Sequence, residues 1–341
     1  MSPAEYAAKR WDDYAKELAT RLADNFDKGF VWKRGWSTEG AFLPYSLVRG
    51  GEYTAGNAMM LELVGWLKGY STNAWLTFND AKALNGHVKP GEHGVPCSRP
   101  YFKDVLFYPD GTEVPEGVER TPEMKMASVY KGTNWFTLFN YEQCEDIPPL
   151  ETFASYQKRN DLHKSIPDDA YMTLTEQICQ QAFVPVSWRG QRAFYSPKKD
   201  EVVLPEKARF DNGKEAFGTA AHELSHATGH PSRFARFDPD SKDGIQSYAF
   251  EELVAELSSI FTCAKIGILH EMEESSTAYL ANWASCLRKD PQILIKEVLP
   301  KANAAHKFVM TECGIEKLAK ETLGVGDLKV ETETKKEDLS L

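Results

Sequence analysis

The residues in this chain most suited to chemistry are His222-Glu223-Leu224-Ser225-His226. On a helix, residues four apart share a face, so two imidazoles at this spacing can meet on one cation. The glutamate beside the first imidazole can hold or deprotonate a water at that cation. The chance of this five-residue pattern arising at random in a chain this long is on the order of 1%. The preceding KEAFGTAA is a good helix lead-in and Gly229 a helix stop, so the spacing predicts a helix over 213–229.

A catalytic metal site of this kind needs a third protein ligand and an open position. The longer spacing HExxHxxGxxH finds its glycine at Gly229, but Ser232 stands where its last histidine belongs. His230 follows the helix stop and is expected to point elsewhere. A carboxylate from the next predicted helix fits better. In YAFEELVAEL (248–257) the acids lie among Leu253, Val254, Ala255 and Leu257, which leave little solvated face. Glu252 and Glu256 are four apart. Glu252 is assigned as the ligand, and Glu256 as the acceptor of a ligating histidine's N–H. Glu251, about 100° round the helix, reads as a surface or pocket acid. Two histidines, one glutamate and an open position make a catalytic zinc geometry, with one Zn2+ per chain expected. Zinc would lower the pKa of a water and polarise a carbonyl, while Glu223 takes the water proton and passes it to a leaving amine. Tyr195, Tyr248 and His230 are candidates for supporting the oxyanion or contacting substrate, and the sequence does not choose among them.

Several elements must position these residues. Apolar and aromatic residues from Tyr6 to Phe26 recur at helical spacing, predicting an amphipathic helix over 4–26. A helix over 57–69 is expected next, then a strand over 74–78 and a short helix capped by Asn79. Residues 109–124, rich in Pro, Gly and Glu, read as a surface loop, and 133–145 as a strand. Pro148 and Pro149 interrupt both periodicities and mark a linker. Beyond it come a helix over 168–183, a small meander of strands over 183–188, 193–196 and 200–205, and helices over 213–229, 247–268, 275–287 and 290–310. The fold class is therefore α+β in two domains, a small α+β domain over 1–147 and a mainly helical domain with a small antiparallel sheet over 148–326. The tail over 327–341 is expected to be disordered.

The chain has 341 residues, 42% hydrophobic and 26% charged, long enough for about two cores. A net charge of −10 excludes a polycationic nucleic-acid coat but not a local basic patch. Residues 28–103 hold 9 Lys and Arg against 5 Asp and Glu, interleaved with Trp32, Trp36, Tyr45, Tyr53, Trp75 and Phe78. Cations for the backbone and aromatic faces for stacking are what a single strand needs, but composition alone fits better with core aromatics and a solvated rim of lysines. Six scattered cysteines, none in a CxxC spacing, read as reduced thiols in a cytoplasmic protein. No apolar stretch suggests a membrane span or a secretory signal. Neither GxGxxG nor GxxxxGK[ST] occurs, so no nucleotide cofactor is expected, and this speaks against primase or helicase activity.

Four blocks, AFYSPKKDEVVLPEKARF (193–210), HELSHATGHPSR (222–233), YAFEELVAELSSIF (248–261) and AYLANWASCL (278–287), together resemble the zincin-like C-terminal domain of the ArdC family of plasmid antirestriction proteins. YTAGNAMMLEL (53–63), the run 69–96 and WFTLFNYEQCEDIP (135–148) are similar to that family's N-terminal single-stranded-DNA-binding domain, found also in some conjugative primases. The resemblance covers about residues 5–310. It implies a mobile-element protein, of plasmid or phage, that protects incoming DNA from host restriction. The family usually has Arg-Gly-Ile-Asn where this chain has Thr54-Ala55-Gly56-Asn57, so the asparagine is kept and the arginine is not. On this resemblance Lys33, Arg34 and Arg49 are the expected phosphate contacts, with Trp32, Tyr53 and Asn57 nearby.

Three functions follow as expectations. The first is a single-stranded-DNA-binding zinc metalloprotein of antirestriction type with an HExxH peptidase site, whose further partner is a protein substrate or a host restriction component. The second is a cytosolic zinc metallopeptidase whose first half recognises a protein. The third is a DNA-binding shield whose zincin fold is a non-catalytic scaffold.

Overall fold

A computed structural model describes residues 3–27, 42–53, 55–115, 117–236, 244–268 and 280–325. The expected tail over 327–341 lies outside these residues, as do Trp32, Lys33 and Arg34. The first half opens with α1 (Pro3–Asp27), β1 (Tyr45–Ser46), α2 (Ala55–Lys68), β2 (Ala74–Thr77), α3 (Phe78–Ala83) and β3 (His87–Val88). It continues with β4 (Val95–Phe107), β5 (Lys125–Asn140) and β6 (Cys144–Glu145). A four-stranded sheet in the order β1-β2-β5-β4 curls beside α1 and α2, its β4–β5 pair forming a long antiparallel ribbon. The cap of α3 is Thr77 rather than Asn79: Thr77 Oγ1 accepts from Asp80 N–H at 3.0 Å and Asp80 Oδ2 accepts from Thr77 N–H at 2.9 Å, a reciprocal capping box.

The second half contains α4 (Ala154–Ser165), α5 (Asp168–Gln180), β7 (Val186–Trp188), β8 (Phe194–Ser196), β9 (Glu201–Leu204) and α6 (Gly213–Ala227). It ends with α7 (Gly244–Lys265), α8 (Leu280–Lys289), α9 (Leu299–Glu312) and α10 (Ile315–Leu323). The small sheet has β9 at its centre, antiparallel to β8 as expected, whereas β7 joins it in parallel. No strong periodicity announces α4, whose sequence ASYQKRNDLHKS is mostly polar. Its anchors are single bonds back to the first half: Ser155 Oγ–H to Leu47 O at 2.6 Å and Arg159 Nη2–H to Gly50 O at 2.9 Å. α10 lies between Gly314 and Gly324, both left-handed, which are the helix punctuation that could have revealed it.

One apolar core draws on both halves. Leu18 and Leu22 of α1, Met59, Met60 and Leu63 of α2, and Trp75 of β2 pack with Leu253, Leu257 and Phe261 of α7, Trp283 and Leu287 of α8, and Leu299 of α9. Arg288 of α8 also pairs with Asp24 of α1 at 2.8 Å. A second core lies within the second half, where Tyr171, Leu174 and Ile178 of α5 meet Val202 and Leu204 of β9, Phe217 and Leu224 of α6, and Ile315 of α10.

Asn212 starts the motif helix by accepting from Glu215 N–H at 2.9 Å, and Asp168 Oδ2 accepts from Gly213 N–H at 2.8 Å. A Cβ on Gly213 would lie 2.5 Å from Asp168 O and Met172 N, both backbone atoms of α5. Gly213→Ala is therefore expected to force α5 and α6 apart and cost about 1–3 kcal/mol, read as a lowered urea midpoint with an unchanged slope. A midpoint equal to wild type would show that the contact relaxes freely.

Candidate metal centre

α6 is buried on nearly every side, and α7 crosses it closely because the residues at the crossing are small. Ser225 and Ser258 are both fully buried and share a hydrogen bond at 2.8 Å. The same crossing brings His222 and His226 against Glu252. Their Nε2 atoms are 3.1 Å apart, and Glu252 carboxylate oxygens lie 3.7 Å from His222 Nε2 and 3.5 Å from His226 Nε2. One ligand atom from each of the three lies within 4.8 Å of the others.

Each imidazole also has a carboxylate at its other nitrogen. Glu256 Oε2 is 3.0 Å from His222 Nδ1, and Glu251 Oε1 is 3.5 Å from His226 Nδ1. Glu251 is no surface acid: it is 3% exposed and accepts from Arg236 Nε–H and Nη2–H at 2.8 and 2.7 Å. Two consecutive residues of α7 both reach His226 because an imidazole presents nitrogens on different edges. Arg236 completes the arrangement, donating also to Thr228 Oγ1 at 2.8 Å and to Ser225 O at 2.9 Å at the end of α6. Its only signal in the sequence is an arginine shortly after the motif, before the second helix.

With a carboxylate at each Nδ1, that nitrogen is assigned the proton, and each Nε2 turns a lone pair inward. Two lone pairs and the Glu252 carboxylate then converge and repel unless a cation or protons lie among them. Bonds of about 2.1 Å to a shared ion span donor separations of this size, so the residues fit a divalent metal. The protonation directions of the metal-free site agree. Burial alone pushes both imidazoles down, but the hydrogen bonds with Glu252 and Glu256 lift His222 well above its usual range. Those with Glu251 and Glu252 bring His226 up to about 9. Burial pushes Glu252 up, and the two histidines outweigh it and hold its carboxyl well below the carboxylate range.

The other predicted residues are placed as follows. Glu223 is buried on α6 next to His222. The Tyr195 hydroxyl donates to Asp200 Oδ1 at 2.7 Å and accepts from Arg233 Nη2–H at 3.2 Å, within a Tyr195–Asp200–Arg233 network. His230 Nδ1 is 2.7 Å from Ser232 Oγ, away from the ligand cluster. Tyr248 lies one turn before Glu252 on α7 and is exposed. In the first half, both ends of the Asn57 amide are engaged by the backbone of Ser98, at 2.7 and 3.0 Å, which ties α2 to β4. Tyr53 packs against the shared core, and Trp75 and Tyr45 are buried in theirs. Arg49 is exposed, 3.7 Å from Asp80.

Comparisons with known proteins divide the chain in the same order. Residues 12–139 match the N-terminal domain of anti-restriction factor ArdC, and residues 173–298 match a zincin-like metallopeptidase model. The crystal structure of antirestriction protein ArdC from plasmid R388, in its metal-free form, superposes with a TM-score of 0.58 at 26% identity over 89% of this chain and 98% of that one. The chain is ArdC-like in both halves. It joins an N-terminal ArdC domain to a C-terminal domain of zincin-like metallopeptidase fold. Two Escherichia coli proteins, each named DNA primase TraC, are 30% and 28% identical over 82% and 86% of this chain. This ArdC-like chain spans only 25% and 19% of their length. The uncharacterized protein y4eC of Sinorhizobium fredii is 25% identical over 77% of this chain and 80% of its own.

One expectation is overturned. The R388 ArdC is also solved in a Mn(II)-bound form, with a TM-score of 0.57 at 26% identity over 88% of this chain, so the assignment of zinc is corrected. The physical reason is that two imidazoles and a carboxylate accept first-row divalent ions generally, and a motif cannot select among them.

Among the described residues, no helix is long and apolar enough to cross a membrane. The described cysteines are all free thiols.

Proposed function

We propose that this chain binds single-stranded DNA, shields mobile-element DNA from host restriction in the cytoplasm, and carries a divalent-metal peptidase site. The observation that carries the peptidase reading is the convergence of His222, His226 and Glu252, each imidazole backed by its own buried carboxylate. A bound divalent cation supplies Lewis-acid polarisation of a carbonyl. His222, His226 and Glu252 would hold it, with Glu256 and Glu251 fixing the two rings. Glu223, adjacent to the first histidine, takes a proton from the attacking water and returns it to the leaving amine. Of the three oxyanion candidates we favour Tyr248. Tyr248 is exposed and lies one turn before Glu252 on α7, the helix that carries the third ligand.

Glu223→Gln in the full chain loaded with Mn(II) tests this. Hydrolysis of a mixed peptide library is expected to fall by at least about 100-fold with Mn(II) content unchanged. Equal hydrolysis in variant and wild type would remove Glu223 from the chemistry. If the wild-type chain cuts no peptide yet still protects DNA, the fold serves as a scaffold for the shield.

A further inference from the structure

The β4–β5 ribbon runs out beyond the body of the first half. From Arg99 to Asp104 every residue of β4 is exposed, and the facing stretch of β5 is exposed from Lys125 to Ser128 and again at Tyr130 and Lys131. Tyr101, Phe102 and Tyr130 are each about half exposed, at 48%, 51% and 55%. Folding gains little from aromatic rings left in water, and a cluster of them marks a surface that meets something else. Phe102 and Tyr130 are direct cross-strand partners, with ring centroids 5.8 Å apart at 67°. The Tyr130 hydroxyl is also held by Thr133 Oγ1 at 2.7 Å. Strand alternation places Tyr101 on the opposite face, with Arg99 and Lys103. The register shifts between Tyr101 and Phe102, where Lys131 is the extra residue of a bulge beside Gly132 at φ +146°.

The two strands carry a positive excess, unlike the loop 108–124 that joins them, which holds Asp110, Glu113, Glu116, Glu119 and Glu123 against Arg120. The two stretches 99–107 and 125–134 carry Arg99, Lys103, Lys125 and Lys131 against Asp104 alone, in a chain whose net charge is −10. Lys131 is the one member with an ion-pair partner among the described residues, Glu113 at 3.8 Å. Flat rings interleaved with cations suit unpaired bases joined by phosphates, whereas a duplex offers no base faces along its length.

We propose that the outer half of this ribbon binds single-stranded nucleic acid wrapped around its edge, with Phe102 and Tyr130 taking bases on one face, Tyr101 taking a base and Arg99 and Lys103 taking phosphates on the other, and Lys131 at the bulge taking a phosphate between them. The proposal rests on the single-strand reading above and moves its main contacts away from Tyr53 and Asn57, which the body of the protein already uses.

The test is fluorescence anisotropy of the full-length chain with a labelled oligo-dT of about twenty nucleotides, and the matching oligo-U and duplex. Phe102→Ala and Tyr130→Ala are each expected to weaken oligo-dT binding about tenfold, and Phe102→Trp to retain it. The Arg99→Gln, Lys103→Gln double variant is expected to lower the slope of log affinity against log salt by about 1 to 1.5. Melting temperature should not move, because all these side chains are exposed. Wild-type binding with ring variants within twofold of it would overturn the platform and leave the single-strand reading standing. No binding by wild type would overturn both. Equal binding to the duplex, insensitive to the ring variants, would make the ribbon a groove reader instead. The comparison of oligo-dT with oligo-U separates a DNA platform from an RNA one.

Discussion

Glu252→Gln is expected to abolish the Mn(II) binding proposed for this chain while leaving it folded. The substitution keeps the shape of the side chain but exchanges an anionic donor for a neutral amide, whose N–H groups cannot bind a cation. Metal held by two imidazoles and one carboxylate loses its only charged ligand, and affinity is expected to fall by at least about 100-fold. Elemental analysis after dialysis against Mn(II), with the resonance of free aqueous Mn(II) as a second readout, measures this. Glu256→Gln and Glu251→Gln act only through the Nδ1 edge of each ring, so they should weaken binding by about 10–100-fold and not abolish it. Full Mn(II) content in Glu252→Gln, with loss in His222→Ala, would transfer the ligand role to a neighbouring glutamate. Full content in both would dismiss the site.

Arg236→Met should be among the most damaging single substitutions in the second half. The Arg236 and Glu251 side chains are each only 4% exposed and meet through two hydrogen bonds. Burial pushes the Glu251 carboxyl up, and the bonds from Arg236 and His226 outweigh that and hold it ionised. Without the guanidinium, the anion, the Ser225 carbonyl and the Thr228 hydroxyl all lose a donor. Breaking a buried pair from one side costs about 3–5 kcal/mol, a fall in melting temperature of roughly 4–7 °C for a chain this size. The double variant Arg236→Met, Glu251→Leu should regain much of the loss, because an apolar pair leaves no stranded charge. A single variant that melts with wild type would show that Glu251 finds another partner or takes up a proton.

The helix pair around the metal centre was legible because its signals are local. A four-residue histidine spacing and acids embedded in an apolar helix need no tertiary knowledge. What escaped was set by helix crossing. Glu251 looked misdirected by rotation about α7, yet it reaches the far edge of the same ring that Glu252 meets. The Ser225–Ser258 contact that sets the spacing of the helices carries no pattern at all. In the first half, aromatic density between residues 28 and 103 suggested stacking faces, but Trp75 and Tyr45 there are core. The rings of that segment exposed among the described residues are Phe78 and, at its end, Tyr101 and Phe102, which sit on a ribbon whose length depends on where two distant strands stop pairing. The short helix α3 was legible, but its cap was misplaced by two residues, because Thr77 and Asp80 form a reciprocal pair that Asn79 does not.

The core shared by α1, α2, α7, α8 and α9 bears on how such a protein can be inherited. Neither half closes its apolar surface alone, so recombination between them would expose Trp75 on one side and Trp283 on the other. A module with this wiring is expected to move between genomes whole. The TraC proteins agree with that expectation: 82% and 86% of this chain is matched in polypeptides of which it spans 25% and 19%.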